Sequence, residues 1–435
     1  MVFSLRGKKC SKKGPKNELL EGNINLELTI PTHFRCPISL DLMKDPVTLA
    51  TGITYDRESI EKWIDSGNLT CPVTHQMLHD LNMVPNHSLR KMIQDWCVEN
   101  KSHGIERIPT PRIPISAYQV SQICLKIVDA TEQSDEEKLK GLIRKVKVIA
   151  RESEKNKNCI VENGAGRVFA GAFDSFASLS MEKYADLLKR ILSVLAWMFP
   201  FGEQGLSKIG SRTSLQCMVW FLKGEDLSGK QNSVIVLKQL LSLDKSYANK
   251  LMEIEGVAET LIKIVHAPIS PAAMKASLVV MYNLMEGNEK VMESFVDMGL
   301  AQIVIEVVVD GEKSMSEKAL GILDQICNYP KGKEIASSYA LTMPVLVKKL
   351  LRVTELATEF TVSIMWKLCS KNHENLVVEA LQVGAFPKLL VLLQVGCVQS
   401  TKEKVTDLLK LMNLYKDKVE CVDSASGFKY LKGSN

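Results

Sequence analysis

The stretch CPISLDLMKDPVTLATGITYDR, residues 36–57, and the shorter CPVTHQ that begins at Cys71 decide how the first quarter of the chain folds. Each opens like half of a zinc knuckle, and each lacks the second thiolate: Ser39 and Thr74 stand where a Cys-x-x-Cys pair needs one. Structural zinc takes four ligands in close pairs. His33, Cys36, Cys71, His75, His79 and His87 suffice by count for a single site, but not for two four-ligand sites. The rest of the segment reads as ordinary structure. PVTLA and ITY flank Thr51 and Gly52 as a short hairpin. Asp56 is placed to cap a helix running to about Asp65, with Gly67 just past its end. Ile60, Trp63 and Ile64 form the apolar stripe of that helix. A second helix begins at Asn86 and turns Leu89, Ile93, Trp96 and Cys97 to one side.

The chain is 435 residues long, too long for one ordinary core. Eleven cysteines are scattered along it without any C-x-x-C pair, which points to reduced thiols rather than a disulfide framework. The N-terminal residues lack the apolar run of a secretion signal, and apolar runs such as residues 303–309 are far too short to span a bilayer. A soluble, cytoplasmic protein without a transmembrane segment is expected, with the nucleus or a membrane surface as alternative locations. Arg6, Lys8, Lys9, Lys12, Lys13 and Lys16 lie ahead of any acid, so this tail alone outweighs the net charge of +5. A nucleic-acid binder carries its basic face on the folded body, so no nucleic-acid partner is expected.

Residues 1–30 read as a basic disordered tail and 31–106 as a small folded domain. Residues 107–115 are a linker, since Pro109, Pro111 and Pro114 block helix continuation. From residue 116 to 421 apolar residues recur at helical spacing, ahead of a C-terminal tail over 422–435. This long segment also repeats. GVAETLIKIV starts at Gly256, GLAQIVIEVV at Gly299 and GAFPKLLVLL at Gly384; LTMPVLVKKLL fits from Leu341, and looser copies start at Gly164 and Gly210. The interval stays near 42 to 46 residues, and each start is followed by a second apolar helix such as VSIMWKL or LVVMYNL, the mark of an α-solenoid whose units bury their faces on one another. Residues 116–152 supply an extra helix pair at its N-terminal end.

These repeats resemble armadillo repeats, in the glycine-led apolar start that Gly384 to Leu393 carries. Armadillo proteins that carry import cargo line their inner helices with asparagines. Here Asn283 fits, but Val194, Leu240, Gln325 and Lys367 hold the matching positions, which disfavours an import adaptor. The segment from Pro31 resembles the U-box, a zinc-free relative of the RING fold, through FRCPISLDLM-x-DPV from Phe34, G-x-TYDR from Gly52, I-x-x-W from Ile60, CPVT from Cys71 and VPNH-x-LR-x-x-I from Val84. In this order the two modules resemble the plant U-box ubiquitin ligases with a short leader. The expected fold is mainly α: a small α+β U-box followed by an armadillo-type α-solenoid.

The resemblance implies a ligase that forms no covalent intermediate and needs no metal or cofactor. Polar contacts replace the zinc, with Asp45, Asp56, Arg57 and Asn86 as the network residues. A ubiquitin-charged conjugating enzyme docks on Ile38, Leu40, Trp63 and Pro72, while a protein substrate sits on the repeats. Some members contact ubiquitin through an arginine whose place is taken by His75, a side chain without a permanent charge. Cys36 and Cys71 as catalytic thiols are disfavoured, because no basic helix start sits beside either. The alternative function is a non-catalytic armadillo scaffold.

Overall fold

The computed structural model describes residues 30–78, 80–103, 105, 114–370 and 374–416. The basic tail, most of the proline-rich linker, the C-terminal tail and His79 lie outside these residues. The chain divides into two compact units, with the boundary between Ile113 and Pro114.

In the first unit, strands β1 (Pro46–Thr48) and β2 (Thr54–Asp56) form the expected antiparallel hairpin, with Val47 opposite Tyr55. Gly52 takes φ 79° in its turn, a conformation that costs an L side chain but not glycine. A third strand, β3 (Val84–Pro85), pairs with the other edge of β1. The sequence gives little sign of it, because it is two residues long and half proline. Helix α1 (Arg57–Asp65) follows β2 directly and ends before Gly67, which sits at φ 85°. Helix α2 (His87–Glu99) starts where the Asn86 side chain accepts the Leu89 N–H at 3.0 Å. The core is built from Phe34, Val47, Tyr55, Ile60, Ile93 and Cys97, with Trp63 and Trp96 packed on its margin.

The second unit opens with the pair α3 (Ala117–Glu132) and α4 (Glu136–Glu152). Six triplets follow among the described residues. They are α5 (Glu154–Glu162), α6 (Ala165–Leu179) and α7 (Ala185–Met198); α8 (Gly202–Ile209), α9 (Arg212–Lys223) and α10 (Leu227–Leu243); α11 (Tyr247–Met252), α12 (Val257–His266) and α13 (Pro271–Met285); α14 (Glu289–Asp297), α15 (Leu300–Asp310) and α16 (Lys313–Ile326); α17 (Pro330–Ser338), α18 (Thr342–Lys349) and α19 (Glu355–Cys369); and α20 (Glu374–Gln382), α21 (Ala385–Val395) and α22 (Gln399–Leu414). The repeated apolar starts are the second helices, and the apolar helices that follow are the third. The short first helices are additions to the sequence reading. Third helices pack on third helices from α4 through α22, and from α7 onward more closely than second helices do, so this row is the inside of the coil. One core runs the length of the unit.

The glycine that leads each repeat is there for two different reasons. Gly256, Gly299 and Gly384 cap their helices at φ 82°, 82° and 83°. Gly210 sits at φ −88°, but a Cβ there would meet the Tyr247 ring at 2.1 Å. Leu341, at φ −83°, has neither need. Asp226, Ser270 and Thr354 cap the third helices α10, α13 and α19 by accepting an N–H three residues on, each worth about 1 kcal/mol. No single helix among the described residues is long and apolar enough to cross a membrane.

Candidate docking site

The two Cys-Pro segments fold alike. In the first, the Cys36 N–H donates to Asp41 O and the Leu40 N–H to Cys36 O, both at 2.8 Å. In the second, the Cys71 N–H donates to Gln76 O and the His75 N–H to Cys71 O, again both at 2.8 Å. Arg35 bridges to Leu42 and Thr70 to Met77, so each knuckle is a small closed loop. The fifth residue of each takes a left-handed conformation: Leu40 at φ 62° and His75 at φ 56°. A branched side chain held there costs about 1 kcal/mol or more, and such strain persists where the surroundings enforce it. Both side chains are thereby turned outward, and Leu40 is 68% exposed.

Neutral and ionic hydrogen bonds occupy the places that a metal would tie together. Cys36 is sealed from solvent and its Sγ accepts the Asp56 N–H at 3.3 Å. Ser39, in the place of a thiolate, accepts the Asp41 N–H at 3.4 Å. Cys71 is equally sealed; its Sγ lies 3.0 Å from Tyr55 Oη and 3.4 Å from the Thr51 hydroxyl, which donates to it. Tyr55 Oη also accepts the Val73 N–H at 3.3 Å. Burial pushes the Cys71 thiol up, but hydrogen bonds from Thr51, Thr74 and Tyr55 outweigh it and bring the thiol down to about 6. Burial, and then the bond to Cys71, push the Tyr55 phenol up, so the phenol keeps its proton and is the donor of that pair. Thr74, in the other missing thiolate's place, thus holds the cysteine it replaces a partner for.

The four polar residues read from the sequence are all engaged, and one partner was missed. Asp45 accepts from Arg57 Nε at 2.7 Å and from Arg90 on α2, so one carboxylate joins both helices to the loop before β1. Arg90 stands in the motif that begins at Val84, but no spacing rule announces a partner 45 positions away. Asp56 occupies the N-cap position of α1 without capping it. Its Oδ1 instead accepts the backbone N–H groups of Lys44 and Asp45, each at 2.8 Å. Burial raises the Asp56 pKa, with the Lys44 N–H pulling against it. Asn86 caps α2 and reaches Thr48 Oγ1 at 3.5 Å.

Of the four docking residues, Leu40 is fully outward, while Ile38, Trp63 and Pro72 are half-buried. Ile38 and Trp63 rest on the core by one side. The Trp63 indole N–H donates to Thr70 O at 2.8 Å, which ties α1 to the base of the second knuckle and fixes the ring beside it. The second knuckle also exposes Leu69, Val73 and Met77, apolar residues the sequence reading passed over. Their signal was their position beside a turn that packs its cysteine inward. Neither Cys36 nor Cys71 offers its sulfur to a macromolecular thioester, since both have no exposed surface. At the inner-helix positions compared with the asparagine row, Val194 and Leu240 are fully buried and Lys367 Nζ binds Asp324 O and Oδ1, both at 2.7 Å.

Both units have counterparts among known proteins. Residues 30–102 match the model of the U-box domain, and residues 119–432 match that of the plant U-box protein ARM repeat region. U-box domain-containing protein 21 of Arabidopsis thaliana is 46% identical over 407 residues, which is 93% of this chain and 93% of that protein. U-box domain-containing protein 20 of the same plant is 41% identical over 416 residues, covering 95% of this chain and 94% of the relative. E3 ubiquitin-protein ligase PUB22, also from Arabidopsis thaliana, is 32% identical over 423 residues, covering 88% and 94%.

Proposed function

The chain belongs to the plant U-box proteins with an armadillo repeat region, and from that membership we propose how it works as a U-box ubiquitin ligase: it docks a ubiquitin-charged conjugating enzyme on Ile38, Leu40, Trp63 and Pro72 and presents a substrate held by the repeats. The observation that carries this reading is the rigid, outward Leu40 knuckle together with an indole pinned to the base of the second knuckle. An exposed aliphatic beside a fixed aromatic is the chemistry of a small hot spot.

Ubiquitin passes directly from the conjugating enzyme's cysteine to a lysine amine. The thioester breaks, an isopeptide bond forms, and the ligase contributes no atom. Its gain is proximity and a restricted set of thioester conformations. Such work needs a stiff platform, which the closed knuckles and the Asp45–Arg57–Arg90 cluster supply. In this reading His75, turned outward at the tip of the second knuckle, is the candidate ubiquitin contact.

Autoubiquitination of the full chain with a panel of conjugating enzymes tests the reading. At least one enzyme gives chains with the wild type, and Leu40→Asp removes them. Transfer by Leu40→Asp at the wild-type rate refutes the docking assignment. Binding of a conjugating enzyme without any transfer favours the scaffold alternative.

A further inference from the structure

Lysines on the inside of the coil differ in whether a carboxylate opposes them. Towards the C-terminus Lys318 is matched to Glu317 and Lys367 to Asp324, while Lys404 on α22 donates to the Ser363 hydroxyl. At the N-terminal end the acids are used up early. Lys140, in the second turn of α4, pairs with Glu136, Glu137 and Asp186, and Asp186 also takes Arg190. Beyond that point α4 still carries Arg144, Lys147 and Arg151, spaced three and four residues apart and so on one side of the helix. Among the described residues neither Arg144 nor Arg151 has an ion-pair partner, and both are exposed. Glu152, the nearest acid in sequence, lies 3.5 Å from Asn156 Nδ2 on the α5 side.

Lys147 is the centre of this group. It is half-buried, and its ammonium donates to the Ser193 hydroxyl on α7, a neutral acceptor that itself donates to Arg190 O. Burial lowers its pKa, and the positive charges of Arg151 and Arg190 lower it further; Asp186 offsets Arg190 at 3.0 Å, and Arg151 has no such partner among the described residues. A partly desolvated cation beside an unpaired guanidinium is unfavourable by itself, and an arriving anion relieves it. Attraction of Arg151 to the carbonyl end of α4 accounts for one member of the cluster, not for Lys147.

We propose that the inner face formed by α4 and α7 is an anion-binding subsite for an acidic segment of a protein partner, one whose side chains present clustered carboxylates or a phosphate to Lys147, Arg144 and Arg151. The inside position favours a peptide, which follows a groove, over a lipid surface, which needs a convex or flat face. The inference rests on the reading of the repeats as the substrate-holding part and names the substrate's chemistry.

Fluorescence anisotropy on the full-length chain tests it, with a short glutamate-rich peptide, the same peptide carrying phosphoserines, and its glutamine counterpart as probes. The wild type binds at least one of the two acidic peptides and not the glutamine one, and the binding weakens as salt rises. Affinity for both acidic peptides alike assigns carboxylate as sufficient; affinity for the phosphopeptide alone assigns phosphate. Arg144→Glu with Arg151→Glu, both at exposed positions, lowers the affinity about tenfold or more, and so does Lys147→Met. Lys147→Arg retains it, and Lys410→Glu, an exposed reversal on α22, leaves it unchanged. Equal binding of the glutamine peptide, indifference to the Arg144 and Arg151 reversals, or binding to phosphatidylserine vesicles in place of the peptides overturns the proposal. Autoubiquitination is measured on the same variants. Its absence from the wild type would count against the ligase reading, while the peptide titration still decides the subsite.

Discussion

Asp45 shows how a single side chain ties two helices to a loop. Its carboxylate holds Arg57 and Arg90, and all three are largely shielded from water. Its replacement by Asn leaves Arg90 without a counter-charge and Arg57 with only Glu61 at 3.9 Å, which costs about 2 to 3 kcal/mol in this partly exposed setting. Glu58 and Lys62 make an equally short pair at 2.7 Å, but both are 73% exposed, and Glu58→Gln changes stability by less than about 0.5 kcal/mol. Local hydrogen exchange over residues 36–65 distinguishes the two: protection falls in the first variant and stays in the second. Cys71 supplies a second residue-scale expectation. Its thiol is depressed to about 6 in the folded chain, against about 8.5 when unfolded. A depressed acid adds stability above its unfolded pKa and loses it as pH falls through the folded value. Thiolate absorbance should therefore titrate with a midpoint near 6 and vanish in Cys71→Ser, and the stability of that variant should rise less between pH 6 and 9. A midpoint unchanged by the substitution contradicts the assignment. Cys71 and its neighbours were visible in the sequence as a broken zinc motif. What they bind was not, because Tyr55 and Thr51 reach it through the fold rather than through spacing.

At the scale of elements, the glycines separate two physical causes that one sequence pattern conceals. Gly384 is present for its positive φ, with nothing within 4 Å of an added Cβ. Gly384→Ala costs about 1 to 2 kcal/mol, and Gly384→Asn less, since asparagine tolerates the left-handed region. Gly210 has ordinary dihedrals but no room beside Tyr247, so Ala and Asn both overpack there, by about 1 to 3 kcal/mol, and Asn brings no rescue. Thermal melting of the four variants gives the order. The same distinction explains what was legible. Long apolar helices with a period announced themselves: the second and third helices of each triplet and the hairpin over residues 46–56 stood where expected. The first helices are short, α11 from Tyr247 to Met252 for instance, and show too few apolar positions to register a period. Strand β3 is shorter still. Asp56 was read as a cap because its position fits one, but the two N–H groups of the loop before β1 compete for the same carboxylate and win it.

Over the whole molecule, the division into two units matches a division of chemistry. The first concentrates its features in two loops with outward-turned side chains; the second presents a long row of inner helices with a basic cluster on α4. Residues 31–106 alone are expected to support autoubiquitination or free-chain synthesis without retaining substrate, and residues 116–421 to retain substrate and transfer nothing. Retention of the native substrate by the first fragment, as well as by the full chain, contradicts that division. The most direct test of the central claim is single-turnover discharge of ubiquitin from a charged conjugating enzyme to free lysine. The claim is that hydrogen-bonded, metal-free knuckles hold Leu40 out as a docking contact. The wild type should accelerate discharge equally with and without a chelator, and Leu40→Asp should lose about tenfold or more of that acceleration while keeping its hydrogen-exchange protection. A well-folded Leu40→Asp variant that accelerates discharge as the wild type does would contradict the account.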